Sequence, residues 1–299
     1  MDKGIFSGIA NFFKILFGIG GGTNPSPTTP SNTNTGTHMT KRAFCFSIND
    51  YKGTNNDLQG CNNDSLNWAN LLKEQYGFQE VTRWTDFQVT RANVIKGMTD
   101  LITNAKAGDT LVITYSGHGT TTLDTNGDEL NGKDECICLY DGNMLDDEIR
   151  AIFNRLPSGV KLTFISDSCF SGTVTRAFLD AMNDNSYVSK PRYMPPKDDL
   201  EALQLAGLSS SRGFAYPESG MNHILLSGTD DKSYSYDAHI NGQPCGAFSC
   251  YAIQILKANP KITYNDFHKL LRARLPSSQY PQTPQLEGSD DNKNSLMFE

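Results

Sequence analysis

Two runs of apolar and β-branched residues, TLVITY at 110–115 and KLTFIS at 161–166, constrain this chain more than anything else in it. Neither alternates between polar and apolar positions, so neither suits a sheet with one face in water. Such runs belong in the middle of a parallel sheet covered on both sides. AFCFSI at 43–48, CICLY at 136–140 and HILLSG at 223–228 read as further strands. Between them the apolar spacing turns helical. Leu66, Ala69, Leu72 and Tyr76 follow a capping Asn63 or Asp64 and precede Gly77. Thr90 caps a second helix through Val94, Met98, Leu101 and Ala105, closed by Gly108, and a third runs from about 146 to 156. Two more fall near 247–257 and 264–274. Strands alternating with helices predict an α/β fold with a mostly parallel central sheet flanked by helices.

The start of the chain reads differently. Ile5, Phe6, Ile9, Phe12, Phe13, Leu16 and Phe17 form a wide apolar face on a helix over 5–19, with Ser7, Asn11, Lys14 and Gly18 opposite. The stretch is shorter than the roughly 20 apolar residues of a membrane span. It also lacks the basic start and small-residue cleavage site of a secretory signal. It is expected to lie on a membrane surface or to dock on a partner or on its own domain, with an atypical signal as the third reading. Residues 20–40 are rich in Gly, Pro, Thr and Asn and have no periodic apolar positions. Such a segment is expected to be a flexible linker, so the folded domain spans 41–299. Within it, residues 173–220 break the pattern and carry Arg176, Lys190, Arg192, Lys197 and Arg212. A loop that long inside a domain suggests processing or regulation.

The formal net charge of −7 argues against nucleic acid as a partner and suits cationic substrates. Seven cysteines, an odd number without framework spacing, are expected to be free thiols in a reducing, cytoplasmic compartment. Cys136 and Cys138 would share one face of a strand, with no second pair nearby to complete a zinc site.

In open parallel sheets, sites gather at the carboxyl ends of the strands. Here TLVITY runs into Ser116-Gly117-His118-Gly119, and KLTFIS into Asp167-Ser168-Cys169-Phe170-Ser171-Gly172. Glycines on both sides of His118 allow a sharp turn that leaves the imidazole exposed, and Gly172 permits a tight turn after the thiol. Either residue alone reads as an ordinary buried thiol or a satisfied polar side chain. The pair, at two strand ends and among glycines, points to a thiolate nucleophile and its proton-transfer partner.

Tyr115-Ser116-Gly117-His118-Gly119 and Asp167-Ser168-Cys169-x-Ser171-Gly172 closely resemble the His and Cys blocks of metacaspases, bacterial relatives included. The likeness continues through Ile48-Asn49-x-Tyr51, Leu58-x-Gly60-Cys61-x-Asn63-Asp64, Asp134-Glu135, Asp146-Asp147-Glu148, Ser227-Gly228 and Gly246-Ala247-Phe248, covering roughly 41–299. The Gln-Ala-Cys block of true caspases is absent. The resemblance implies a caspase-like three-layer sandwich and peptide-bond hydrolysis after Arg or Lys. Cys169 and His118 would form the dyad, and backbone N–H groups at Gly119 and Cys169 the oxyanion site. Asp64 and Asp167 match acidic positions of metacaspase substrate pockets, where carboxylates can meet a basic P1 side chain bidentately. Read without the family, Asp64 serves equally as a helix cap and Asp167 as a turn-former.

The same resemblance implies a monomer, while the length of the 173–220 loop and its Lys and Arg content predict self-cleavage after its basic residues. It also implies an activating Ca²⁺ held by Asp134, Asp146 and Asp147 with a further Asp after the nucleophile. That last place falls on Arg176, a cation where a ligand belongs, with Asp180 nearby as a substitute. Asp124, Asn126, Asp128 and Glu135 imitate an EF-hand loop, but Glu129 stands where its glycine should be, so a solvated acidic loop is expected. Phe170 replaces the second His that often follows the Cys. Two alternatives stay open: a catalytically silent caspase-like module that binds a partner or membrane, and a peptidase preferring Asp, which would need a basic pocket.

Overall fold

The apolar runs form strands of one six-stranded sheet. Its members are β1 (Lys41–Ser47), β2 (Glu80–Thr85), β3 (Thr110–Ser116), β7 (Lys161–Asp167), β9 (Ile224–Ser227) and β12 (Gln285–Glu287), in the order β12-β9-β7-β3-β1-β2. All pairings are parallel except that of β12 against β9. The computed structural model describes residues 39–53, 56–124, 132–169, 189–195, 220–230 and 233–299. The expected helix over 5–19 and nearly all of the linker lie outside those residues. So do Asn126, Asp128, Glu129, Phe170, Gly172, Arg176, Asp180, Lys197 and Arg212.

Successive side chains of a strand point to opposite faces, and the sheet separates two cores on that basis. Ala43, Cys45 and Val112 pack with Trp68, Leu71 and Leu72 of α1 (Cys61–Glu74). The same core takes Phe248 and Leu256 of α4 (Ala247–Ala258) and Phe267 and Leu271 of α5 (Tyr264–Arg272). On the other face Phe44, Phe46, Leu111 and Ile113 meet Val94, Met98 and Ile102 of α2 (Arg91–Thr103). Ile149, Ile152 and Phe153 of α3 (Asp146–Phe153) complete that core. Helices on both faces make the three-layer α/β sandwich. Fully burying one large apolar side chain contributes about 1.5–3 kcal/mol, so these two cores supply most of the driving force for the fold. No described helix is long and apolar enough to cross a membrane, and all seven cysteines are free thiols.

Local signals met mixed outcomes. Thr90 caps α2 as predicted, accepting from the Asn93 N–H at 3.3 Å. The cap of α1 does not follow the prediction. That helix starts at Cys61, which puts Asn63 and Asp64 inside its first turn. Its leading N–H groups go instead to the side chain of Asn49, whose Oδ1 accepts from Cys61 at 2.9 Å and Asn62 at 3.3 Å. CICLY also moves. It lies in β5 (Lys133–Leu139), the middle of a small antiparallel sheet with β4 (Gly119–Leu123) and β6 (Gly142–Leu145). A second small sheet joins β8 (Ser189–Pro191), β10 (Tyr236–Ile240) and β11 (Gln243–Gly246). Part of the irregular 173–220 stretch is therefore a strand.

Register positions the site. Ser47 pairs with Ser116, and Ser116 with Asp167, so β1, β3 and β7 end level with one another. His118 and Cys169 each stand two residues beyond those partners on adjacent strands.

Candidate active site

The main chain of His118 is fastened on both sides. Its N–H donates to the Tyr51 hydroxyl at 2.7 Å, and its carbonyl accepts from the Tyr115 hydroxyl at 2.7 Å and the Cys138 N–H at 2.9 Å. The imidazole lies against the Tyr51 ring, centroids 4.8 Å apart. Nε2 is 2.6 Å from the Asn56 carbonyl oxygen, which makes Nε2 the proton-bearing nitrogen. Nδ1 has no hydrogen-bond partner among the described residues. The imidazole is fully buried, contrary to the exposure its flanking glycines suggested. Residues 189–195 cross the site beside it and pair Tyr193 with Gly119. Burial pulls the His118 pKa down to about 4; the Asn56 carbonyl opposes the shift, and the charges of Lys190 and Arg192 add to it. A neutral imidazole with an open Nδ1 is the form that can accept a proton.

Cys169 is equally buried, within a small cluster that includes Tyr193 and Tyr234. Its Sγ accepts from the Ser235 N–H at 2.7 Å and donates to the Ser235 carbonyl at 3.2 Å. Burial pushes the thiol well above its ordinary pKa, and the backbone contacts of Ser235 and Arg192 offset only part of that. The sulfur is therefore held as a thiol in this state. The two loops touch closely: a Cβ on Gly119 would lie 1.9 Å from the Cys169 carbonyl oxygen. Only glycine fits there.

Beside the thiol lies a buried pocket filled by the side chain of Arg192. Asp64 comes from α1, Asp167 from the end of β7 and Asp237 from β10, and all three are buried. Nη2 of Arg192 is 2.7 Å from Asp64 Oδ2 and 2.9 Å from Asp237 Oδ1, and Nη1 is 3.1 Å from Asp167 Oδ2. Nη1 also donates to the Asp167 carbonyl at 3.2 Å. Each carboxylate is anchored independently. Asp64 accepts from the Gly246 N–H, Asp167 from the Ser235 hydroxyl and the Ser249 N–H, and Asp237 from the Gln59 and Gly60 N–H groups. Burial works against the Arg192 charge, but the surrounding carboxylates more than offset it and raise its pKa. Burial, with Asp167 adding to it against the pull of Arg192, pushes Asp64 up to about 7.

The main chain of Arg192 is placed with equal economy. Its N–H donates to the Ser235 carbonyl at 2.8 Å. Its carbonyl oxygen accepts from Gly119 N–H at 2.9 Å and Cys169 N–H at 3.2 Å. On the far side, Met194 N–H donates to the Gly119 carbonyl at 2.9 Å. Upstream, β8 runs antiparallel to β10, with Pro191 opposite Tyr236 and Lys190 opposite Asp237. The segment thus crosses the site extended, with a cation in an acidic pocket and its carbonyl on two converging amides. A thiol, an imidazole with a free nitrogen and paired N–H donors beside an anionic pocket are the equipment of a cysteine peptidase.

Comparison with known proteins agrees with that equipment. A family model, the metacaspase, peptidase C14 domain, matches residues 41–178. Metacaspase-1 of Kluyveromyces lactis is 33% identical to this chain over 86% of it and 68% of the yeast protein. The chain belongs to the metacaspase family. Metacaspase-1 of Schizosaccharomyces pombe is 32% identical, over 83% of this chain and 67% of its own length. Among solved structures, a Geobacter sulfurreducens protein superposes with a TM-score of 0.66 at 26% identity, covering 87% of this chain and 98% of that one. Caspase-1 of Spodoptera frugiperda shares the fold at 14% identity and a TM-score of 0.54, over 86% of this chain and 87% of its own. A metacaspase is a cysteine peptidase, a hydrolase whose substrates are proteins.

The structure gathers Asp64, Asp167, Gly119, His118 and Cys169 in one place, and of the basic loop residues it brings Arg192 into their midst. Lys190 stays at the edge, its Nζ on the Asp57 carbonyl at 3.0 Å. Asp134 on β5 and Asp146 and Asp147 on α3 do not assemble: among the described residues no group of three or more His, Cys, Asp or Glu is arranged to hold a metal ion. Asp147 is engaged in an ion pair with Arg150. Among the described residues these side chains form no calcium cage. Asp237, Tyr51 and Asn56 escaped the sequence reading. The Asn-x-Tyr motif pointed to Tyr51 without giving its task, whereas Asp237 and the Asn56 carbonyl carry no local signature.

Proposed function

We propose that this metacaspase is an endopeptidase that cleaves after Arg, and less readily after Lys, with Cys169 as nucleophile and His118 as its proton-transfer partner. We further propose that its own Arg192–Tyr193 bond is a substrate. The observation that carries this reading is the pose of Arg192, which has its guanidinium among Asp64, Asp167 and Asp237 and its carbonyl oxygen on the Gly119 and Cys169 amides. A substrate would occupy a peptidase in the same way.

The chemistry follows from the same groups. Turned from Ser235, the Cys169 thiol gives its proton to Nδ1 of His118, and Sγ bonds to the carbonyl carbon of the P1 residue. The oxygen gains charge between the Gly119 and Cys169 N–H groups, donors of the kind whose loss costs a factor of about 10²–10³ in kcat. Nδ1 then delivers the proton to the leaving amine as the C–N bond breaks, and water hydrolyses the thioester to regenerate the thiol. Nε2–H on the Asn56 carbonyl keeps the ring oriented throughout. While uncut, Arg192 competes with any outside substrate for the pocket, so the chain is latent until residues 189–195 move or are cut.

The test is hydrolysis of fluorogenic peptides ending in Arg, Lys or Asp by the full chain and by Cys169→Ala, with calcium and with chelator. Turnover after Arg and Lys that is absent in Cys169→Ala is the expected result. Turnover after Asp, or turnover unaffected in Cys169→Ala, overturns the reading. The calcium and chelator arms decide whether Asp134, Asp146 and Asp147 contribute a cation site.

A further inference from the structure

We infer that Cys245 and Cys250 form a redox-active thiol pair, separate from the nucleophile, which peroxide closes into a disulfide, and that this disulfide weakens the hold of the acidic pocket on arginine. The disulfide stands on its own geometry; its effect on substrate rests on the proposed reading of that pocket.

The pair lies where β11 gives way to α4. Gly246 caps that helix at φ −70° and ψ 136°, so Cys245 precedes the cap and Cys250 is the fourth helical residue. Side chains at those two positions meet across a helix start, ordinarily as an apolar staple. Here both are thiols, and they hydrogen-bond to each other. Their surroundings make them unequal. Cys245 is buried, whereas Cys250 is partly exposed. Sγ of Cys250 also accepts from Nε2 of Gln254 at 3.2 Å, and Nη1 of Arg274 donates to Gln254 Oε1 at 3.0 Å. The hydrogen bond from Cys245, with that from Gln254, outweighs burial and lowers the Cys250 thiol to about 7. The same bond, together with burial, raises Cys245. An accessible sulfur with donors on it, in the first turn of a helix, is the kind that reacts as a thiolate. Cys169, buried and held as a thiol, is not.

The oxidant is hydrogen peroxide. The Cys250 thiolate attacks one peroxide oxygen, the O–O bond breaks, and the hydroxide that leaves takes up a proton to become water. Cys250 is then a sulfenic acid, oxidised by two electrons. The Cys245 sulfur bonds to the Cys250 sulfur, the S–O bond breaks, and the departing hydroxyl leaves with the Cys245 proton as a second water. Two thiols and one peroxide become one disulfide and two waters, and a thiol reductant reverses the change by exchange.

Residues 246–249, enclosed by the new ring, link it to the pocket. Gly246 N–H donates to Asp64 Oδ1 and Oδ2 at 2.9 and 3.0 Å, and Ser249 N–H to Asp167 Oδ2 at 3.1 Å. Sulfurs in hydrogen-bond contact must close to about 2.05 Å in the disulfide. Cys245 has little freedom to move, because its main chain lies against Gly60, where a Cβ would be 2.6 Å from Cys245 Cα and N. The first turn of α4 therefore shifts instead, and the Ser249 amide leaves Asp167.

Two measurements on the full chain test this. The first needs no turnover. Cys169→Ala is treated with hydrogen peroxide, its remaining thiols are alkylated in denaturant, and the tryptic peptide Ser233–Lys257, which holds both cysteines, is weighed. The expected peptide is unalkylated and lighter by two hydrogens, and dithiothreitol before alkylation restores two alkylated cysteines. Alkylation of both after peroxide, or a disulfide joining another pair in its place, overturns the inference. The second measurement is KM and kcat for an Arg peptide, before and after peroxide, in the wild type and in Cys250→Ser. Loosening one hydrogen bond to a charged group predicts a roughly tenfold rise in KM for the wild type, reversed by dithiothreitol and absent in Cys250→Ser. Oxidation of Cys169 itself would lower kcat in both proteins alike. A wild-type KM unmoved by a disulfide that has formed, or moved equally in Cys250→Ser, overturns the link to the pocket. A wild type inactive on every peptide, with the disulfide formed, would instead refute the peptidase reading and leave the thiol pair standing.

Discussion

Replacing Arg192 by Ala removes the group that the proposed function places in the P1 pocket. Its guanidinium makes three ion pairs, at 2.7, 2.9 and 3.1 Å, and one hydrogen bond to a carbonyl at 3.2 Å, all out of water. These contacts share one cation and do not add. Truncating one member of a buried, hydrogen-bonded charge cluster costs about 3–5 kcal/mol as a whole. If that energy orients the Arg192–Tyr193 bond in the transition state, its loss slows cleavage there roughly 150- to 5,000-fold, at about 1.4 kcal/mol per tenfold. The assay is intact mass against time, with the fragments assigned. Wild type should yield pieces ending at Arg192 and beginning at Tyr193, Arg192→Lys should yield them more slowly, and Arg192→Ala should not yield them on the same timescale. Because the pocket of Arg192→Ala is open to outside substrate, this variant should hydrolyse an Arg peptide without a lag. Cleavage of the Ala variant at the same bond and at the wild-type rate would rule out Arg192 as the group that positions that bond.

The remaining expectations concern pH and close packing. A cation binds Asp64 best when it is ionised, and its pKa is about 7 even beside Arg192. KM for an Arg peptide should therefore fall as pH rises from about 6.5 to 8.5, and Asp64→Asn should flatten that profile; a profile unchanged in Asp64→Asn counts against Asp64 as the source. His118, buried and neutral, titrates near 4 instead of 6.5, so the folded chain binds fewer protons than the unfolded one between those values. That contributes up to about 3 kcal/mol of stability, fully present above pH 6.5 and lost as pH falls through 4. The stability difference between wild type and His118→Gln should shrink by that order between about pH 7 and 4 in urea titrations, and a constant difference would refute the assignment. Gly119→Ala puts a methyl group 1.9 Å from the Cys169 carbonyl oxygen. It should destabilise the fold by about 1–3 kcal/mol and abolish cleavage at Arg192; wild-type stability and activity together would contradict the geometry.

The parts of the site legible in the sequence are those set by neighbours along the chain. The runs at 110–115 and 161–166 had to be central strands because they are apolar on both faces, and their level ends follow from in-register parallel pairing. That alone brings His118 beside Cys169. The Thr90 cap was likewise local. What escaped depends on partners far away in the chain. Asp237 lies 177 positions from Gly60 and 45 from Arg192, and a lone Asp in a short strand carries no mark of either contact. Residues 189–195 reach Gly119 from a Pro- and Asp-rich stretch that gave no periodic signal. Asn49 took over the cap of α1 because its side chain reaches the first N–H groups from the end of β1, a contact no helix-start pattern contains.

In the proposed function everything turns on Cys169 acting as a nucleophile toward a carbonyl next to a basic residue. It is tested most directly by incubating the full chain with a peptidyl-arginine chloromethyl ketone, and separately with its aspartyl counterpart, and mapping the adduct by mass spectrometry. Labelling of Cys169 by the arginine reagent, little by the aspartyl one, and loss of labelling in Asp64→Asn are the expected results. An adduct confined to another cysteine, or equal labelling of Cys169 by both reagents, would contradict it.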